Sequence, residues 1–173
     1  MEAINRMRKN RKGFTLVEII VVLIILAILA AFTIPTMLGF VGDARGKSYI
    51  AEAREVYVAA QSTATEYSAK LGLTDEQLSI ALGSTKVKTN DAGDVGKASE
   101  QMSKYIGTDL TIVDTPTTDV AKKGISATNS AWSVTVGAND SAKTAKVGTL
   151  VYYKNGYEVT INNGNASVVN LNK

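Results

Sequence analysis

The sequence of 173 residues contains no cysteine and no histidine. Without cysteine the chain cannot form a disulfide, so any folded domain must be held together by its own core and backbone hydrogen bonds. Without histidine it lacks the most common general base and a frequent metal ligand. No arrangement typical of nucleophilic or phosphate chemistry is present. We therefore expect no enzyme activity, no cofactor and no metal site.

The positive net charge of +3 is concentrated at one end of the chain. The first 13 residues carry one acid, Glu2, and five basic residues: Arg6, Arg8, Lys9, Arg11 and Lys12. The remaining sequence is close to neutral, which does not favour strong nucleic-acid binding because a nucleic-acid surface needs clustered Lys and Arg. A basic cluster before an apolar run instead predicts that the N-terminus stays in the cytoplasm.

A long apolar segment follows, from Phe14 to Val41, and Glu18 is its only charged residue. About 20 residues span a bilayer, whereas the apolar core of a secretory signal has about 7–15 and precedes an Ala-x-Ala site that is absent here. The segment therefore predicts a membrane-spanning helix. A carboxylate in such a helix is costly and is usually retained for a partner, which makes Glu18 a candidate functional residue.

The sequence Gly13-Phe14-Thr15-Leu16-Val17-Glu18 after a basic leader resembles the processing signature of type IV pilins and of their relatives, the pseudopilins and DNA-uptake pilins. The resemblance implies a leader peptide at residues 1–13, cleaved between Gly13 and Phe14 by a prepilin peptidase that also N-methylates Phe14. Residues 14–40 would form the membrane and filament-core helix, and residues 41–173 an extracellular globular head. The absence of cysteine points to the Gram-positive branch or another cysteine-free lineage.

Two residues are candidates for assembly. In the family Glu18 would pair with the Phe14 amine of a neighbouring subunit and set the register of stacked helices, since removing one member of a buried ion pair is strongly unfavourable. The alternative is that Glu18 interacts only with the dipole of its own helix. Pilins typically carry a proline at the position of Pro35. Pro35 and the glycines that follow it predict a compliant segment at 35–46.

The resemblance implies a structural subunit of a type IV pilus that polymerises with itself and supports adhesion, surface motility or aggregation. Its other partners would be the prepilin peptidase, the pilus assembly platform and its ATPase. It would begin as a single-pass membrane precursor and end in the cell-surface pilus. Two alternatives stay open: a pseudopilin of a secretion or DNA-uptake system, and a single-pass anchored binding domain.

The rest of the sequence predicts an α+β head. From residue 43 to Leu71 apolar residues recur every three or four positions, which is typical of a helix with one buried stripe, and Gly72 should end it. The predicted stripe contains Tyr49, Ala53, Val56, Ala60, Ala64, Tyr67 and Leu71, widened by Ile50 and Tyr57, with Glu52, Glu55 and Glu66 on other faces.

Between the long helix and the sheet the sequence predicts short helices and turns. Thr74 and Gln77 fit a capping box before a helix that ends at Gly83, and a second helix should cover Ala98–Ile106 and end at Gly107. Residues 89–96 should form a surface loop. Asp91 and Asp94 in it do not have the spacing of a calcium loop.

The C-terminal third predicts a meander of about four antiparallel strands packed on the long helix. The strands are predicted at residues 132–136, 147–154, 157–162 and 166–171, with two-residue turns at Asn155-Gly156 and Asn163-Gly164. A further strand is expected at 109–114 or 124–128, and Lys122-Lys123 in a solvated loop. Tyr152, Tyr153 and Tyr157 are expected to pack in the sheet, the alternative being an exposed adhesive cluster. Asn139 and Asn165 each begin a glycosylation sequon, a weak signal.

Overall fold

The computed structural model describes residues 13–89, 93–137 and 143–172. Its longest element is helix α1, Leu16–Leu71, which has 56 residues and contains Pro35. The chain divides into two compact units, Met1–Asp43 and Ala44–Lys173.

The described part of the first unit consists of the start of α1 and the three residues before it. Every large apolar side chain from Phe14 to Val41 is exposed, so the described part of this unit has no core of its own. The segment 35–46, for which we predict compliance, is helical throughout. Its compliance stays a prediction.

In the second unit, α1 presents the predicted apolar stripe to a core. Six of the seven stripe residues are buried, and Ile50 and Tyr57 are partly buried against them. The exception is Leu71, which is 37% exposed because the helix ends there; Leu73, two residues later, is buried instead. Gly72 follows with a φ of +65°, the left-handed conformation expected at a helix end. Gly46, Ala59 and Thr63 are also buried, which the stripe prediction missed.

Three short helices follow: α2 Asp75–Leu82, α3 Ser84–Thr89 and α4 Gly93–Ile106. The predicted capping box is present at α2, and Gly107 ends α4 with a φ of +69°. Two predictions were wrong. Helix α4 begins at Gly93 rather than Ala98, so Asp94 lies in a helix and not in a surface loop, while Asp91 lies outside the described residues. The prediction that α2 ends at Gly83 is confirmed, but the helix that follows directly, α3, was not predicted from the sequence.

The five strands are β1 Thr111–Ile112, β2 Asn129–Val136, β3 Val147–Lys154, β4 Tyr157–Asn162 and β5 Asn165–Asn170. They lie side by side in chain order, and β2 to β5 form the predicted antiparallel meander. Both predicted two-residue turns have positive φ at both positions, which is typical of type I′ hairpins.

The further strand expected at 109–114 or 124–128 lies in the first of these ranges, where β1 pairs in parallel with β2. No strand covers 124–128. The preceding residues form helix α5, Asp119–Lys123, so the prediction that Lys122-Lys123 lies in a solvated loop was wrong. The helix is started by the Thr118 hydroxyl, which accepts a hydrogen bond from the Ala121 backbone N–H.

The sheet and α1 share one core, centred on the fully buried Trp132 and Tyr152. Tyr153 and Tyr157 are also buried, which confirms packing rather than an adhesive cluster. Polar contacts fix the helix on strand β3: the Tyr57 hydroxyl donates to the Val147 carbonyl, and the Gln61 amide accepts from the Val147 backbone N–H. The second unit is therefore an α+β domain.

Candidate processing and assembly site

The proposed cleavage point lies in an open, non-helical stretch of backbone. Gly13, Phe14 and Thr15 precede α1, and no atom lies within 4 Å of where a side chain on Gly13 would begin. The Phe14 side chain is 83% exposed. Within the described residues, the peptide bond between Gly13 and Phe14 is thus unobstructed.

Thr15 and Glu18 form a reciprocal cap at the start of α1. The Glu18 carboxylate oxygen Oε2 accepts hydrogen bonds from the Thr15 backbone N–H at 2.8 Å and from the Thr15 hydroxyl at 2.9 Å. In return the Glu18 backbone N–H donates to the Thr15 hydroxyl at 3.2 Å. This is the Ser/Thr-x-x-Glu capping box, which satisfies donors that the first helical turn leaves unpaired.

The cap fixes where the negative charge of the apolar segment lies. Because Oε2 is bonded to Thr15, the carboxylate is held against the first turn of α1, where the helix dipole also favours an anion. Its backbone position is two residues beyond Leu16, the first residue of the helix. A negative charge held in this way can pair with a cation brought to the same helix end.

The apolar surface behind Glu18 is continuous. Among the described residues, one helix, α1, is long and apolar enough to cross a membrane, judged by length and composition. Its apolar window lies near the N-terminus and has no buried residue. This surface needs lipid or another protein to cover it, since exposed apolar patches of such extent are rare in soluble monomers.

Pro35 lies within this apolar half of α1. Proline has no backbone N–H, so it removes one hydrogen bond of the helix. Separately, the hydroxyls of Thr33 and Thr36 donate to carbonyls of the preceding turn, Thr33 to Leu29 at 2.8 Å and Thr36 to Phe32 at 2.8 Å. In an apolar surrounding these internal bonds matter because no water is available to the two hydroxyls.

The comparisons with known proteins concern the same segment. Residues 8–34 match the family model of the prokaryotic N-terminal methylation motif. The chain carries the type IV prepilin signature. No curated protein and no solved structure matches the chain. The matched residues include the Gly13-Phe14 bond, Glu18 and most of the exposed apolar helix, so the family match and the geometry point to the same part of the molecule.

The motif indicates a structural protein that is processed like a pilin or a pseudopilin, rather than an enzyme. The motif implies processing by prepilin peptidase and self-polymerisation. It also fits a membrane-anchored precursor. The long helix on a mostly antiparallel sheet is the pilin-like α+β layout expected from the sequence.

The other candidate sites in the chain have less structural support. Asp94 is paired with Lys97 at 3.0 Å, and the described residues contain no cluster of acids that could hold a metal ion. Of the two sequon asparagines, Asn139 lies outside the described residues and Asn165 is exposed at the start of β5. Exposure alone does not mark Asn165 as a site.

Sequence reasoning missed Thr15 as the partner of Glu18, although the capping-box spacing was readable. It also missed two carboxylates that anchor the head. Glu52 is half-buried, and its Oε2 accepts from the Tyr152 hydroxyl and from Lys154 Nζ, both at 2.6 Å. Burial and the neighbouring Glu52 raise the pKa of Tyr152. No local pattern could have indicated this pairing, because the partners are 100 and 102 positions away.

The second carboxylate is Asp75, which is fully buried. Its Oδ2 accepts from the Thr144 hydroxyl at 2.7 Å and its Oδ1 from the Ala145 backbone N–H at 2.9 Å. Burial acts to raise the pKa of this carboxyl, but these hydrogen bonds and one from the Thr144 backbone N–H outweigh it and keep the pKa below its ordinary value. Asp75 thereby ties α2 to the segment leading into β3.

Proposed function

We propose that the chain is the structural subunit of a type IV pilus filament. Prepilin peptidase would cleave between Gly13 and Phe14, remove the leader at residues 1–13 and methylate the Phe14 amine. Residues 14–40 would then form the filament core after leaving the membrane, and residues 41–173 the head on the filament surface. The assembly platform and its ATPase would lift subunits from the membrane into the growing pilus, and the filament would serve adhesion, surface motility or aggregation.

One observation carries the proposal: a carboxylate is held at the start of an apolar helix that has nothing to cover it. The described part of the first unit has exposed apolar side chains along its whole length and one charged residue before Asp43. Lipid satisfies the apolar surface before assembly, and neighbouring helices would satisfy it afterwards. Because lipid is already apolar, burial alone gives little direction to assembly, so shape and polar pairing must choose the register.

Cleavage would create a cationic partner for Glu18. Breaking the bond after Gly13 gives Phe14 a positively charged amine, which the intact precursor does not have. A subunit would then carry one cation at Phe14 and one anion at Glu18, close together in sequence at the same helix end. Pairing the amine of one subunit with the Glu18 of its neighbour would leave no charge unpaired in the apolar core, which is the condition for tolerating buried ions.

A fixed acid at position 18 favours a filament subunit over a single-pass anchored binding domain. A membrane anchor needs only length and a basic flank. A carboxylate in its apolar segment would make insertion into the membrane less favourable and would serve no function there. A pseudopilin shares the same chemistry and would differ in forming a short assembly that stays within the cell envelope. The site of accumulation therefore separates these two.

The test is the mass and N-terminal sequence of the protein sheared from the surface of cells that express it. We expect a chain beginning with N-methylated Phe14 in a high-molecular-weight fraction. The same processed chain found in the cell envelope alone would indicate a pseudopilin. An intact chain beginning at Met1 and confined to membranes would contradict processing and favour the anchored binding domain.

A further inference from the structure

A cleft on the head lies between α1 and the end of α4. Its lining residues are Arg54, Glu55, Val58, Ala59, Ser62 and Tyr105, and its volume is about 450 Å³. The apolar lining is open to solvent, with Val58 62% and Tyr105 51% exposed. All of these residues belong to the second unit, so the cleft is a feature of the head.

The wall of the cleft that Tyr105 provides is fixed. The Tyr105 hydroxyl donates to Glu66 Oε2 at 3.2 Å, and the other oxygen of Glu66 is paired with Lys70 at 3.1 Å. The aromatic ring is thereby tethered to α1 through its hydroxyl, and it lines the cleft together with Val58. A preformed apolar cleft loses little conformational entropy when a partner enters it.

A protrusion that could fill such a cleft exists elsewhere on the head. Val120, in the short helix α5, is 82% exposed, the highest value among the described large apolar residues of the second unit. Ala121 beside it is also exposed. Helix α5 is held to the sheet by Lys122, which lies 3.9 Å from Glu158 and 5.9 Å from the centre of the Tyr153 ring. Val120 is thus an exposed apolar side chain on an element that is anchored to the sheet.

One charge at the cleft is opposite in sign to one beside the protrusion. Glu55 at the cleft and Lys123 next to the protrusion are both exposed, and neither forms an ion pair within the described part of the chain. Arg54, also at the cleft, is likewise without an ion pair there, so the cleft offers one charge of each sign. Complementary rim charges orient two surfaces more than they add affinity.

We infer that Val120 and the exposed side of α5 in one copy of the chain insert into the α1–α4 cleft of the next copy, with Lys123 facing Glu55. The contact joins two different surfaces of the same molecule. Such heterologous contacts produce open helical assemblies when the rotation between copies does not close a ring. The inference rests on the proposed filament and adds a contact between heads to the contact between apolar helices.

The absence of cysteine makes the contact directly testable by cross-linking in intact filaments. The variant Ser62→Cys with Ala121→Cys places one thiol in the cleft and one beside Val120. Treatment with a short bis-maleimide should give a ladder of covalent dimers, trimers and larger species. Each single variant should give none, and neither should the matched pair Ser62→Cys with Ser167→Cys, whose second thiol lies on β5.

The outcomes separate this inference from the proposed function. Filaments that form normally without a ladder overturn the head contact and leave the filament proposal intact. A ladder in the Ser167 control as well, or species no larger than dimers, also overturns it, because the contact would then be unspecific or isologous. Absence of filaments from cells that express the unaltered chain contradicts the proposed function, and the head contact with it.

A second variant tests whether the contact matters for assembly. Val120→Asp should lower the yield of filaments by at least about tenfold, since it would place a charge where the inferred contact buries an apolar side chain. Val169→Asp is the matched control, because Val169 is an exposed valine of β5 outside the contact. An equal yield from both variants, with the head folded in each, would contradict the inferred role.

Discussion

Helices α1 and α2 begin with the same motif in two different surroundings. Thr15 and Glu18 cap α1, and Thr74 and Gln77 cap α2 with the same pair of reciprocal bonds. In both, a backbone N–H of threonine donates to the side chain three residues later. The first cap lies in an exposed apolar segment, and the second lies in the folded head.

The difference lies in the accepting group. At α2 a neutral amide oxygen accepts the bond at 3.0 Å, so the cap does not require a charge. At α1 a carboxylate does the same task in a segment where a charge is costly. If capping were the whole role of position 18, glutamine would be sufficient there. Capping alone thus does not account for the charge of Glu18, which leaves the two roles proposed for it: pairing with the Phe14 amine of a neighbouring subunit, or interaction with the dipole of its own helix.

A second difference concerns what the first turn contacts. At α1 the first residues are exposed. At α2 the amide of Gln77 does the capping, and the acid of the first turn, Asp75, is buried and bonds to Thr144 and Ala145. One helix start is thus left open, as assembly between chains requires, and the other is fixed within its own domain.

Exchanging the two accepting groups tests whether the charge matters at α1 and not at α2. Glu18→Gln keeps an oxygen for the Thr15 N–H but removes the charge, so we expect leader cleavage to continue and the yield of filaments to fall by on the order of 100-fold. Gln77→Glu should leave both unchanged. The measurement is the amount of sheared surface protein relative to processed protein in the cell.

The informative control is Glu18→Ala, which removes the cap and the charge together. If Glu18→Gln assembled normally and Glu18→Ala did not, capping of α1 would be the whole role of position 18. That result would contradict the ion pair with the Phe14 amine of a neighbouring subunit, and it would not support the helix-dipole alternative either, since glutamine carries no charge.

Gly137 allows a test at the second helix start, that of α2, because it lies against Asp75. Its φ is +70°, and a β-carbon there would overlap the Asp75 carboxylate. Gly137→Ala should lower the free energy of unfolding by about 2–4 kcal/mol, since the strained backbone and the displaced buried carboxylate act together. Denaturant unfolding in detergent, followed by fluorescence of the single tryptophan, Trp132, measures the change.

Gly107 provides the matched control for this substitution. Its φ of +69° is almost the same, but no atom lies within 4 Å of the added carbon. Gly107→Ala should cost only about 1 kcal/mol, the backbone contribution alone. Equal losses at the two glycines would mean that the contact with Asp75 contributes nothing.

What the sequence predicted well was local. Asn155-Gly156 and Asn163-Gly164 set both hairpins, because type I′ turns need residues that accept positive φ. Thr74 with Gln77 marked the start of α2, and Gly72 the end of α1. The processing signature was readable for the same reason, since its residues are contiguous.

What it did not predict depends on tertiary contacts. Helix α3 has no strong apolar period, and it is fixed by bonds such as the one between the Ser84 and Thr115 hydroxyls. Glu52 looked like a solvent-facing acid, yet it bonds to residues of β3. The cleft beside Tyr105 also depends on where α4 packs, which periodicity does not specify.

The last prediction concerns the charge of Asp75 itself. Because the pKa of this carboxyl is lower in the folded state than its ordinary value of 3.8, the folded state holds its proton less tightly than the unfolded state. The stabilisation is therefore present above that value and is lost as the pH falls below it. Asp75→Asn keeps one acceptor oxygen but turns its amide hydrogens towards the donors of either Thr144 or Ala145, so we expect a loss of about 1–3 kcal/mol in the free energy of unfolding at neutral pH.

The difference between Asp75→Asn and the unaltered chain should shrink as the pH is lowered through about 4, the ordinary range of an aspartate. Glu76→Gln, an exposed neighbour in the same turn, is the matched control and should leave the free energy of unfolding nearly unchanged. A difference that stays constant from neutral to acid pH would show that Asp75 acts through shape and not through its charge. The two helix starts would then differ in packing alone, and only α1 would depend on a carboxylate.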